Sequence, residues 1–218
     1  MKHLRLITGV IALGSLWGFS ECIIGAWLRD ANLPAGAILT AIIAIGLMAF
    51  SKTIFPQRGV PLTMGLIAGT LRYINPVPIG TCIICSAIAI MGEGLLFELL
   101  WIKIPNDFRH TQTIPLQACL GIISGYLIYV GGYTITQILT PALSPAGFDA
   151  SNLIAFTPQI LASGLLPAII AAFTLPTVLA LTRLPLSLKD RLYYPLTTAT
   201  AAACWLLVII NTIILLKP

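Results

Sequence analysis

Residues 81–101 read Thr81-Cys82-Ile83-Ile84-Cys85-Ser86-Ala87-Ile88-Ala89-Ile90-Met91-Gly92-Glu93-Gly94-Leu95-Leu96-Phe97-Glu98-Leu99-Leu100-Trp101. At 1.5 Å per residue this stretch makes about 31 Å of helix, the thickness of a bilayer's hydrocarbon core. Its only charged residues are two glutamates, and a run of that length and composition reads as a membrane-spanning helix. The pattern repeats along the chain: 58% of the 218 residues are hydrophobic and 9% charged, against about 25% charged in an ordinary soluble domain. No water-soluble fold of this size hides so much apolar surface, so the solvent is lipid. The fold class is all-α, a polytopic transmembrane helical bundle in a cell (plasma or inner) membrane.

Seven segments are expected, at about 6–28, 35–50, 61–74, 81–101, 115–140, 157–182 and 195–216. Pro34 and Pro61 suit the openings of the second and third, and Asn75-Pro76-Val77-Pro78 stops the third. The third is short, its 14 residues reaching roughly 21 Å. Charge nevertheless argues that it crosses. With seven crossings and a cytoplasmic amino terminus, Lys2, Arg5, Lys52, Arg58, Lys103, Arg109, Arg183, Lys189 and Arg191 lie inside. Arg29, Arg72 and Lys217 lie outside, a split of nine to three. A third segment that dips in and returns makes the split six to six. The positive-inside rule favours the first scheme, with the carboxyl terminus outside. A short, proline-bounded helix at membrane depth needs protein around its ends, so the 61–80 region is expected to border a cavity.

No linker or charge block leaves room for a soluble domain, so residues 1–218 are read as one integral membrane domain. The net charge of +5 comes from basic residues scattered singly between apolar blocks, a pattern that sets topology and does not point to nucleic acid. The start, Met1-Lys2-His3-Leu4-Arg5 ahead of an apolar run, resembles a signal peptide. No small-x-small cleavage site follows, and Glu21 stands where a lipoprotein signal needs a small residue, so the run is read as a retained first helix. Cys22, Cys82, Cys85, Cys119 and Cys204 all lie in apolar runs, which suits buried thiols better than a disulfide framework.

Carboxylates inside such runs are expensive and by default mark sites. Glu93 falls near the midplane between Gly92 and Gly94, and helical spacing puts Cys82, Cys85, Ala89 and Glu93 on one face. Glu21 falls in the outer half of the first helix, with Trp17 four residues earlier on the same face and able to stack on an organic ligand. Arg72 and Tyr73 end the third helix on the same side. Glu93, Glu21, Arg72, Tyr73 and Trp17 are therefore the candidate substrate contacts, with both glutamates expected to border one cavity between helices one, three and four and Arg72 at its mouth. The competing structural reading makes Glu21 a clamp to Arg72 or Arg29. Glu98 is expected to pair with Lys103 or Arg109, and Trp27 and Trp101 to anchor helix ends at the interface.

Small residues four apart recur at Gly14/Gly18, Gly65/Gly69, Gly121/Gly125, Ala168/Ala172 and Ala199/Ala203. They are read first as packing within this bundle, and alternatively as a stripe on helix one that docks a partner. Gly65–Tyr73 resembles Gly121–Tyr129, which is read as shared packing chemistry. Cys82-Ile-Ile-Cys85 admits a thiol-oxidoreductase reading or, beside Glu93, a metal reading. No second outer cysteine pair relays electrons, and His3 and His110 both fall in inside segments. No protease, esterase or nucleotide motif is present, so no enzyme, catalytic residue, metal or cofactor is expected.

Gly14-Ser-Leu-Trp-Gly-Phe-Ser-Glu21, the short Pro61–Asn75 helix and Met91-Gly-Glu-Gly-Leu-Leu-Phe-Glu98 together resemble energy-coupling factor (ECF) transporter substrate-binding S components, over roughly residues 6–101. The resemblance implies an outward-facing pocket that captures a vitamin-like molecule, with a separate transmembrane coupling protein and ATPases driving uptake. Cobalt and nickel members use a histidine next to the initiator methionine. Lys2 stands at that position here, so no metal site is carried over and a small organic ligand is expected. The rival from another class is a non-transporting membrane subunit whose glutamates clamp helices within a larger complex.

Overall fold

A computed structural model describes residues 2–75, 83–102, 113–142, 150–183 and 190–215. The helices are α1 over 2–30, α2 Ala35–Ile54, α3 Val60–Ile74, α4 Ile83–Trp101, α5 Ile114–Ala142, α6 Ala150–Ser163, α7 Leu165–Thr182 and α8 Asp190–Leu215. Among the described residues six spans are long and apolar enough to cross a bilayer: α1, α2, α4, α5, the α6–α7 unit and α8. The shorter apolar α3 is the seventh segment. All seven stand where hydropathy puts them. The sixth is split at Gly164, because Pro167 has no N–H to offer the Ser163 carbonyl. The chain instead tightens there, Gly164 N–H donating to the Leu161 carbonyl at 3.3 Å. Cys82, Lys103, Asp107, Arg109, His110, Lys189 and Lys217 lie outside the described residues, as does the Pro76-Val77-Pro78 stop.

Successive spans alternate in direction, which gives the bundle two ends. At one end lie the 31–34 connection and Asn75, at the other the 55–59 connection. The α3 helix runs parallel to α1: Gly14 meets Met64, Gly18 meets Ala68, and the Cys22 thiol donates to the Leu71 carbonyl at 3.7 Å. It runs antiparallel to α4, with Gly65 on Gly94 and Gly69 against Ala87 and Met91. A helix with that registry runs one way and does not turn back. At its far end, the Asn75 side-chain carbonyl accepts hydrogen bonds from Thr212 at 3.1 Å and Asn211 at 3.4 Å on α8.

Lipid tails are as apolar as leucine, so helices associate through close packing. Glycines supply it. A Cβ on Gly94 would come within 2.8 Å of the Pro61 carbonyl oxygen, and one on Gly125 within 2.7 Å of the Pro167 carbonyl oxygen. The Gly14/Gly18, Gly65/Gly69 and Gly121/Gly125 stripes are thus used on α3, α4 and α7 inside this chain. The helix-one stripe is covered by α3, which corrects the reading that it is open to a partner. The central helix is α2, whose Ala41, Ala44, Ile45, Met48 and Ala49 are wholly buried. By contrast α8 rests on α1 and turns Leu196, Leu206, Ile210 and Ile214 outward.

Near the 55–59 end, Lys52 Nζ donates to Glu98 Oε1 at 3.0 Å, with the two side chains 4% and 8% exposed. Lys103 and Arg109, the expected partners of Glu98, lie outside the described residues. The C-terminal parts of α2 and α4 lie side by side, which brings Lys52 to Glu98 from another helix. Trp101 is also corrected as an interfacial anchor: it is 2% exposed and stacks on Phe97, one helical turn earlier, at 5.8 Å. Trp27, 70% exposed, keeps the anchor's position.

Candidate functional site

Two departures from the α-helix shape the end that holds Asn75. Gly25 N–H donates to the Ser20 carbonyl and Ile45 N–H to the Thr40 carbonyl, each five residues back where an α-helix reaches four. Each such π-turn inserts one residue and swings the side chains on it out of the 3.6-residue frame. Glu21 lies on the first π-turn and Thr40 on the second.

Both face one cavity of about 490 Å³. Its wall is made by Glu21 of α1, Gly36 and Thr40 of α2, Cys85, Ser86, Ala89, Ile90 and Glu93 of α4, and Tyr129, Tyr133 and Thr136 of α5. The volume is typical of small-molecule sites, whose usual range is roughly 300–1,000 Å³. Its polarity is unusual for the interior of so apolar a bundle, since two carboxyl and five hydroxyl groups converge on it. Cys85, Ala89 and Glu93 share the wall, as their spacing requires. The close pass of α5 is permitted by Gly132, where a Cβ would stand 3.1 Å from Glu93 Cγ.

Glu93 is 6% exposed. Its Oε1 accepts the Thr40 hydroxyl at 2.7 Å, and its Oε2 has no hydrogen-bond partner among the described residues. Glu21, 7% exposed, has Arg72 and Arg29 as electrostatic neighbours. The Trp17 indole N–H lies beside the Glu21 carboxyl without reaching hydrogen-bond geometry, in a fully buried ring. Arg72 is 3% exposed and its Nε donates to Ser86 Oγ at 3.0 Å.

Of the five candidate residues, Glu21 and Glu93 meet in the cavity. Arg72 stands behind Ser86 and Trp17 behind Glu21, neither on the wall. Tyr73 is 59% exposed and turned away from the bundle. The cavity lies between α1, α2, α4 and α5, which corrects the placing of helix three on its wall. The glycine contacts seat α3 directly against α1 and α4, and none of the residues that line this cavity comes from it. Sequence reasoning missed Thr40, Ser86 and the α5 residues. Tyr129, Tyr133 and Thr136 carried a signal, since polar groups at i, i+4 and i+7 mark one helix face. The π-turn at Thr40 carried none.

Cys85 is disulfide-bonded, and Cys119 is exposed with a free thiol, so the expectation of five buried thiols holds for Cys22 and Cys204. Among the described residues no three histidine, cysteine or acidic side chains cluster as a metal site. No protein-family model, curated protein or solved structure matches the chain.

Proposed function

We propose that this protein is the membrane-embedded capture component of an uptake system for a small organic molecule. It sits in the cell membrane with its amino terminus inside, and separate partners, a transmembrane coupling protein and ATPases as in the S components it resembles, supply the energy. The observation that carries the reading is the cavity itself: a ligand-sized space with converging polar groups, one buried carboxylate oxygen in it lacking a hydrogen-bond partner among the described residues. Proteins do not ordinarily leave such an atom unsatisfied unless something else binds it. The distribution of lysine and arginine turns the cavity's end outward, the side from which an uptake component loads.

The test is binding by the purified full chain in lipid nanodiscs, followed by mass spectrometry of small molecules that co-purify in mild detergent. Retention of one organic compound by the wild type, lost in Glu93→Gln at equal folded yield, supports capture. A structural clamp predicts the reverse: folded protein lost, with the surviving fraction binding normally.

A further inference from the structure

Glu21 and Glu93 share a cavity but not an electrostatic environment. Arg72 and Arg29 stand near Glu21. Glu93 has the Thr40 hydroxyl on one oxygen, and its charged neighbour is Glu21, another acid. Among the described residues that line the cavity, none is lysine, arginine or histidine. Arg72 is turned to Ser86. The cavity thus presents a carboxylate oxygen in a residue more than nine-tenths buried, with no cation set against it among the described residues. A carboxyl buried this deeply keeps its charge when a cation is set against it and otherwise takes up a proton.

We propose that the missing partner is the ligand's own charge: the cavity takes a small organic ammonium ion, its nitrogen donating to Glu93 Oε2 and its body lying against Tyr129 and Tyr133. This rests on the capture reading and names its ligand class. The space is large enough for an organic body beside the charge, since about 490 Å³ is more than ten times the roughly 30 Å³ share of one water molecule. Aromatic rings attract organic cations through their negative faces, and two tyrosines stand one helical turn apart on the α5 wall. Ala89 and Ile90 provide apolar surface for the rest of the molecule. A protonated amine meets all three: one positive charge, several N–H donors and an apolar body.

The experiment uses the full chain in nanodiscs and probes matched in shape but not in charge: 2-phenylethylammonium, 2-phenylethanol and 3-phenylpropanoate, together with the two-ring naphthyl analogues of each. Binding is read by calorimetry and by thermal stabilisation. The ammonium member of each set is expected to bind at least about tenfold more tightly than its alcohol, the usual advantage of a charged hydrogen-bonding group, and the carboxylate not at all. Glu93→Gln is expected to bring the ammonium compound down to the alcohol's affinity, while Glu93→Asp keeps the preference. If the alcohol or the carboxylate binds as well as the ammonium compound, the ligand class is overturned and capture stands. If no probe of any charge binds, both are overturned. The wild-type comparison alone decides should a variant fail to fold.

Discussion

The Thr40 hydroxyl donates to Glu93 Oε1 at 2.7 Å, joining the π-turn of α2 to the face of α4 that lines the cavity. The bond therefore connects a local irregularity of the backbone to the chemistry of the site.

Thr40→Val, which keeps shape and removes the donor, is expected to destabilise the protein by about 1–3 kcal/mol, the cost of stranding a buried acceptor. The measurement is the thermal midpoint of the purified protein in detergent. Thr40→Ser should recover most of the loss. A valine variant as stable as the wild type would show that the hydroxyl does not hold Glu93.

Lys52→Met leaves Glu98 buried without its partner and is expected to cost about 3–5 kcal/mol, with most folded protein lost. The double variant Lys52→Met, Glu98→Met removes both charges and should recover much of the yield, since the uncompensated charge is the greater burden. Size-exclusion profiles of the three proteins side by side read the outcome. Equal damage from single and double variants would contradict a pair that acts as a unit.

Gly94→Ala places a methyl against backbone atoms, 2.8 Å from the Pro61 oxygen and 3.0 Å from Gly65 Cα. Neither neighbour can rotate away, so α3 and α4 must part, at a cost of about 1–3 kcal/mol or more. Gly46→Ala is the control: its Cβ would meet only Thr174 and Val178 side chains at 3.6 Å, ordinary contact distance. Thermal midpoints should fall for the first and stay level or rise for the second. The same result for both would mean that the glycines are not what brings these helices together.

Reporter fusions test orientation. A reporter in the loop at Asp107 should be active only as a cytoplasmic fusion, and one at Pro218 only as an external one. External activity at Asp107 would contradict the path of α3 from one end of the bundle to the other and return that segment to a dip from one side.

By itself the sequence determined that the solvent is lipid, where the seven segments lie, and that Cys85, Ala89 and Glu93 share a face. Those properties depend on composition and on the helix's own period, which a chain carries along its length. It also placed Glu21 in the outer half and Glu93 near the midplane, because depth follows from counting residues. Only the tertiary structure decided which helices stand beside each other. Every helix here is apolar on most of its surface, so hydropathy does not distinguish α3 from α2 or α5 as a cavity wall. The glycine contacts made that choice by seating α3 against α1 and α4. The same packing set Lys52 beside Glu98 and closed π-turns at Ser20 and Thr40. A turn that adds one residue breaks the period from which faces are read, and so Thr40, the residue that holds Glu93, could be found only in three dimensions.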